Sequence, residues 1–215
     1  MKKTVKLTAL VCSALLLFSA SACSQGQTDS ESTENQSAVP VERSIMSNEA
    51  FDIKKAFDSI QINGTMLPPS PCISDFGDDF KLGTKLFSGD EDNSGRLIGN
   101  LLCNDAKSIS YDIYNVSNSE QADEKKLKKV KLDIISQENS DAMASNTLLS
   151  VLGITVGDSM NDADKAFGIP EKRSMNTVNS GTYTYTSKED TSKMISLDFE
   201  DDIVTKITIY YSILG

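Results

Sequence analysis

The sequence predicts an α+β fold built as two small tandem units, each a short helical segment packed on an antiparallel β-sheet meander. Three observations carry this. One stretch, residues 153–170, has its own start and stop signals for a helix. Around it lie short runs that alternate apolar and polar residues, the period of a half-buried strand. And a Phe-Gly stop occurs twice, at Phe76-Gly77 and at Phe167-Gly168.

The chain starts with Lys2, Lys3 and Lys6, then an apolar run from Leu7 to Phe18 broken only by Thr8 and Ser13. That run is too short to span a bilayer and is followed by small residues, the pattern of a secretory signal. The junction Ala20-Ser21-Ala22-Cys23 resembles a bacterial lipobox, in which the cysteine becomes the lipidated first residue of the mature chain. The expected signal is therefore residues 1–22, and the expected membrane contact is a lipid bilayer held through Cys23 on the extracytoplasmic face. Losing the three lysines takes the formal charge from −10 to −13, which argues against nucleic-acid binding. Residues 23–48 are Ser-, Gln-, Glu-, Thr- and Asn-rich with little to bury, so a disordered tether is expected there, spanning about 25–30 Å.

The first unit is expected over residues 49–136. Phe51 to Ile62 is an amphipathic or strand-like run, and Asn63-Gly64 signals a turn. Pro68, Pro69 and Pro71 force an extended entry. Ser70 to Gly77 then reads as a very short helix, with a Ser cap, Pro at its first position and Gly at its end. Strands are predicted over Arg96–Cys103, Ser108–Val116 and Val130–Ile135, the last with Leu132 and Ile134 on one face. Ser119 to Lys131 reads as a solvated helix or loop face whose lysines are balanced by Glu120, Asp123 and Glu124. Residues 137–147 read as a polar linker.

The second unit is expected over residues 148–215. Ser159 is placed as N-cap with Asp162 three residues on, and Met160, Ala163 and Phe167 share a face. Gly168 ends this helix and Pro170 prevents its return. Gly157 precedes the cap. Strands follow over Thr182–Thr186, Met194–Glu200 and Ile203–Tyr211, the last two joined by Asp201-Asp202. The helix is expected to cover the sheet through Phe167, against Leu197, Phe199, Ile207 and Ile209.

Cysteine usage adds one expectation. Cys12 leaves with the signal and Cys23 carries lipid, so Cys72 and Cys103 remain in an oxidising compartment, either as a disulfide or as two buried thiols. Closing the loop between them would add about 3.5–4 kcal/mol in the chain-entropy account.

The pattern Ile154-x-x-Gly157-x-Ser159, Phe167-Gly168-x-Pro170, Tyr183-x-Tyr185, Leu197-x-Phe199 and Ile203-x-x-x-Ile207 resembles a domain of cell-surface lipoproteins from clostridia-like bacteria. Its helix-then-meander layout is similar to β-lactamase-inhibitor-protein domains and to the small lipoprotein of the outer-membrane assembly machine. The resemblance implies the tandem α+β arrangement and a non-catalytic role: binding a protein or cell-wall component, or serving envelope assembly. It supplies no contact residue.

The residues themselves speak against catalysis and cofactors. Gly157-Asp158-Ser159 matches one esterase block, but that chemistry needs a base for the serine proton and the chain has no His. Asp198 and Glu200 fall on the strand face opposite Leu197 and Phe199, as solvent-facing residues do. Asp90 to Gly95 imitates the front of a calcium loop, yet the twelfth position is Leu101 rather than the bidentate Glu. No Cys/His spacing suits a metal and no glycine loop suits a phosphate.

Cys23→Ala is expected to move the protein from the membrane fraction into the medium. Continued detergent-dependent fractionation of that variant would refute lipidation at Cys23.

Overall fold

The structure, a computed structural model, describes residues 50–89, 94–188 and 190–212. The signal, Cys23 and the tether lie outside these residues, as do Asp90–Asn93 of the calcium-like loop. The described residues form one compact unit.

Its frame is a single antiparallel sheet of eight strands. The chain contributes β3 (Lys81–Ser88), β4 (Gly95–Cys103), β5 (Ala106–Val116), β6 (Ile134–Glu138), β8 (Lys172–Met175), β9 (Gly181–Thr186), β10 (Met194–Glu200) and β11 (Ile203–Tyr210), in the order β3-β4-β5-β6-β11-β10-β9-β8. Two four-stranded meanders thus meet through their last strands, β6 and β11, with Ile135 opposite Ile209 and Gln137 opposite Ile207. Each meander is preceded by a short helical turn ending in Phe-Gly: the 3₁₀ turn Ile73–Phe76, and α5 (Met160–Phe167). Both glycines take positive φ, 90° at Gly77 and 72° at Gly168, as the sequence signal requires. A small second sheet pairs β1 (Gln61–Ile62) with β2 (Thr65–Met66) and with β7 (Leu149–Ser150).

The α+β class stands. The sheet that the sequence divides between two units is continuous, and the expected linker over 137–147 is not a linker. Its first residues complete β6 and the next form α4 (Asn139–Ser145), ended by Asn146 in the left-handed region. Inside this stretch Gln137 is fully buried. Its side-chain amide donates to the carbonyls of Ser108 (3.3 Å) and Thr147 (3.0 Å), and its carbonyl oxygen accepts from Leu149 N–H (2.8 Å). A polar residue that looks like linker is therefore the clamp between the large and small sheets.

Strand phase is corrected in two places. Leu132 and Ile134 do not share a face. Leu132 N–H donates to Pro71 carbonyl, so 131–132 belong to a local pairing with 71–72, and β6 turns Ile135 and Gln137 inward instead. A bulge at Asp198/Phe199 likewise puts Val204, rather than Ile203, in the core. The charged 119–131 run is helical, as α2 (Asn118–Ala122) and α3 (Glu124–Leu127), capped by Ser117 and Asp123. Phe51–Ile62 divides into α1 (Ile53–Phe57) and β1. Edge strands β3 and β8 have no counterpart in the sequence reading: β8 is exposed throughout, and β3 mostly so, so neither shows clean alternation.

The core lies on one face of the large sheet, where Leu97, Ile109, Tyr111, Ile113, Ile135, Ile195, Leu197, Ile207 and Ile209 are all at most 1% exposed. Helical elements pack on that side. Phe57 of α1 meets Tyr211 edge-on (5.5 Å), and Leu127 of α3 is buried in the same core. Phe167 of α5 is buried, 2% exposed, in the same core as Leu197, Phe199, Ile207 and Ile209, and it has two ring partners that the sequence does not announce. It lies 4.8 Å from Tyr185 and stacks on Phe51 at 6.0 Å with 11° between the planes. Phe51 comes from the segment before α1, so this cluster joins opposite ends of the described chain.

Phe167→Ala in the full chain should cost about 3–5 kcal/mol, as for other large core aromatics, while Ser159→Ala should cost about 1 kcal/mol through the lost cap. A fragment starting at 147 should not fold alone, because β6 and Phe51 lie outside it. Thermal melts test all three, and a Phe167→Ala melt within a few degrees of the parent would refute the anchoring role.

Candidate binding face

The residues singled out in the sequence fall into structural places. Ser159 caps α5: its Oγ accepts from Asp162 N–H (3.1 Å) and donates to the Asp162 carboxylate (2.6 Å). That hydroxyl, helped by Lys165, holds the Asp162 carboxyl below its usual range. Gly157 takes φ 94° and its N–H donates to Val204 carbonyl, while Gly168 and Pro170 are buried behind the helix. Gly95 opens β4 opposite the end of β3. A Cβ there would come within 2.4 Å of Ser88 carbonyl oxygen, so strand packing already accounts for this glycine of the calcium-like loop.

Cys72 and Cys103 are two free, buried thiols, which corrects the disulfide alternative. Cys72 is occupied locally. Its N–H donates to the Asp75 carboxylate (2.7 Å), and its Sγ lies 3.2 Å from the same carboxylate and 3.1 Å from Ser74 Oγ. Cys103 ends β4 and belongs to the core.

What the sequence reading missed is the face of the sheet turned away from the helices. Strand register assembles three parallel rows across it. The middle row runs Asn100, Ser110, Ser136, Thr208, Ser196, Thr184 and Lys172, one residue per strand from β4 to β8. Its first six members are short and uncharged. The hydroxyls of Ser110, Ser136, Thr208, Ser196 and Thr184 are bonded to no other protein group among the described residues. One bank is more apolar: Ile98, Asp112, Ile134, Tyr210, Met194 and Thr186. The other is charged: Glu138, Lys206, Asp198 and Thr182. No single segment signals such a row, because each member comes from a different strand and only the register aligns them.

Charge on this face sits at its margins and is partly spent. Arg96 pairs with Asp112 and lies over the Tyr114 ring at 5.2 Å. Lys206 pairs with Glu138 at 3.3 Å, and Asp198 accepts from Thr182 Oγ1 at 2.7 Å. Asp198 and Glu200 are thus strand residues of the open face, as their alternation suggests. Among the described residues no group of three or more His, Cys, Asp or Glu side chains is placed to hold a metal ion. No helix among them is long and apolar enough to cross a membrane. Two open clefts, each about 790 Å³, flank Phe51 elsewhere on the molecule, one lined by Lys55, Gln61 and Lys165, the other by Ile169, Glu171 and Lys188.

No protein-family profile, curated protein or solved structure matches this chain.

The opposite, buried face carries polar atoms of a different kind. The hydroxyls of Tyr111, Tyr185 and Tyr211 are buried without a hydrogen-bond partner among the described residues. Burial pushes the Tyr111 phenol up to about 12, and raises Tyr211 for the same reason; Tyr185 is raised first by burial and then by Asp164. Tyr111 fits only because its strand neighbour is glycine: a Cβ on Gly99 would lie 2.4 Å from the hydroxyl. A phenol whose folded pKa exceeds its unfolded value of about 10 contributes full stability below pH 10 and loses it as pH rises through the folded value. Stability should therefore fall from pH 10 upward. Tyr111→Phe should flatten that fall and leave neutral-pH stability equal or about 1 kcal/mol higher, since it removes an unpaired buried hydroxyl. Denaturant melts at pH 7 and pH 11 check this, and an unchanged slope with pH would refute it.

Proposed function

We propose that this protein is a membrane-anchored, extracytoplasmic lipoprotein acting as a non-catalytic binding module for a cell-surface component, with the open sheet face as its contact surface. The address rests on the signal-like N-terminus and the Cys23 junction. The reading of the face rests on one observation: a half-exposed sheet surface whose centre is uncharged across six strands and whose ion pairs stand at its margins. Interfaces have this distribution, with charge depleted at the centre and polar groups at the rim. The seventeen positions of the three rows, each about 4.8 Å by 6.8 Å, give a face of about 550 Å², toward the low end of one partner's share of a standard interface.

A carboxylate-dependent hydrolase is disfavoured. Asp198 and Glu200 line a cleft of about 410 Å³ that is too open to exclude water, and the Ser159 hydroxyl is committed to its cap. An envelope-assembly role would use the same surface and differs only in partner.

The test is a photo-crosslinking amino acid placed at position 196, in the middle row, or at position 129, exposed just beyond α3, in intact cells. Adducts are expected from 196 and not from 129. Equal labelling at both positions, or none at 196, would refute the face as the contact surface.

A further inference from the structure

We infer that the open face binds a linear, uncharged polysaccharide lying across the strands along the hydroxyl row; this rests on the reading of that face as the binding surface.

The row itself carries the argument. Asn100, Ser110, Ser136, Thr208, Ser196 and Thr184 sit on six adjacent strands, so neighbouring side chains repeat at about 4.8 Å and the row extends about 24 Å. Such a repeat suits a polymer with one polar group at each step; the open cleft on this face, about 410 Å³, lies on the charged bank against Glu138, Asp198 and Lys206 and is not lined by the row. The chemistry is that of sugar hydroxyls. Each Ser or Thr can donate one hydrogen bond and accept two, and the five hydroxyls here bond no protein group among the described residues. A folded protein alone would not use this surplus: the few backbone groups it leaves unpaired do not recur at this spacing, whereas a polyhydroxyl chain presents a donor-acceptor group at every unit.

The flanking rows fit the same occupant. Ile134, Tyr210 and Met194 form an apolar run beside the hydroxyls, suited to the C–H faces of sugar rings, with Ile98 beyond the Arg96-paired Asp112. The charges flanking the six uncharged positions are mixed in sign, and Lys172 ends the row on the exposed strand β8. Arg96 and Lys206 are each paired with a carboxylate, while Asp198 and Glu200 keep one margin acidic. A protein partner would favour protruding Trp, Tyr or Arg anchors seated in pockets. The middle row instead offers short side chains on a continuous surface, and the chain has no Trp.

The test uses the full chain in detergent against four neutral β-1,4-linked oligosaccharides: glucose, N-acetylglucosamine, xylose and mannose hexamers, titrated to millimolar and read by calorimetry. At least one hexamer is expected to bind, and more tightly than its dimer, because the row accommodates several units. Ser136→Lys and Ser196→Lys should each weaken that binding about tenfold or more. Should either lysine variant melt early, the double change Ser136→Ala with Ser196→Ala supplies the comparison and should weaken binding several-fold. No binding of any hexamer overturns the proposal, as does binding that neither lysine variant nor the alanine pair alters. A crosslink from position 196 to a protein, together with no sugar binding, leaves the binding face standing and ends the polysaccharide reading. Absence of both removes the two together.

Discussion

The pairing of β6 with β11 is the constraint on which the rest depends. Among the described residues it is the only place where the two meanders share a hydrogen-bonded ladder, and it is short: five residue pairs, from Lys206–Glu138 to Tyr210–Ile134. One residue ties off its end. Asp133 donates its N–H to Asp112 carbonyl on β5, accepts Tyr211 N–H at its own carbonyl, and accepts Tyr114 N–H at its carboxylate (2.6 Å). Three strands thus converge on one aspartate at the seam. Burial raises its pKa while the Tyr114 bond acts in the opposite direction, as expected of a carboxylate drawn partly out of water for a structural purpose. Without this seam each meander would expose an unpaired central edge, and the row of side chains across the open face would end halfway.

Much of the fold was legible because it is written locally. The α5 cap, its three buried residues and its Phe-Gly stop all lie within ten positions, and the Asp201-Asp202 hairpin needs only two residues with positive φ, which both supply (51° and 65°). What was illegible depends on distant partners. Gln137 reads as linker because polar residues belong outside, yet it is buried where three backbone groups converge on it. Leu132 and Ile134 obey strand periodicity, but Pro71 captures Leu132 and shifts the phase by one. Phe167 shares one core with Leu197, Phe199, Ile207 and Ile209, but nothing near it in sequence announces that the rings of Phe51 and Tyr185 complete its cluster. The open face is the extreme case: six unremarkable Ser, Thr and Asn residues form a row only once six strands are in register.

The two faces of the sheet use tyrosine and hydroxyl chemistry in opposite ways. Inside, Tyr111, Tyr185 and Tyr211 are valued for ring area and carry hydroxyls that burial leaves without partners. Outside, the row's serines and threonines are half-buried, with Thr208 buried at its centre, and their hydroxyls bond no protein group among the described residues. Gly99 marks the boundary, giving up its own side chain so that the Tyr111 ring can lie across β4. The inner face therefore tolerates loss of hydroxyls, whereas the middle row of the outer face has little besides hydroxyls to offer.

The Phe51 cluster also has a mechanical side. Ala50 bridges Ile169 in parallel geometry, and the next ring lies against Phe167 and Tyr185. A pull on the chain ahead of Ala50 would reach the fold first at this clasp, on the half of the domain most distant in sequence. Because the clasp holds by ring contacts and one bridge, it would give way before the long strand ladders are loaded. Load would then pass to α1 and the small sheet, leaving the eight-stranded face undistorted. Ala50 and Phe51 thus make their long-range contacts with the end of α5 and with β9 rather than with their neighbours in sequence.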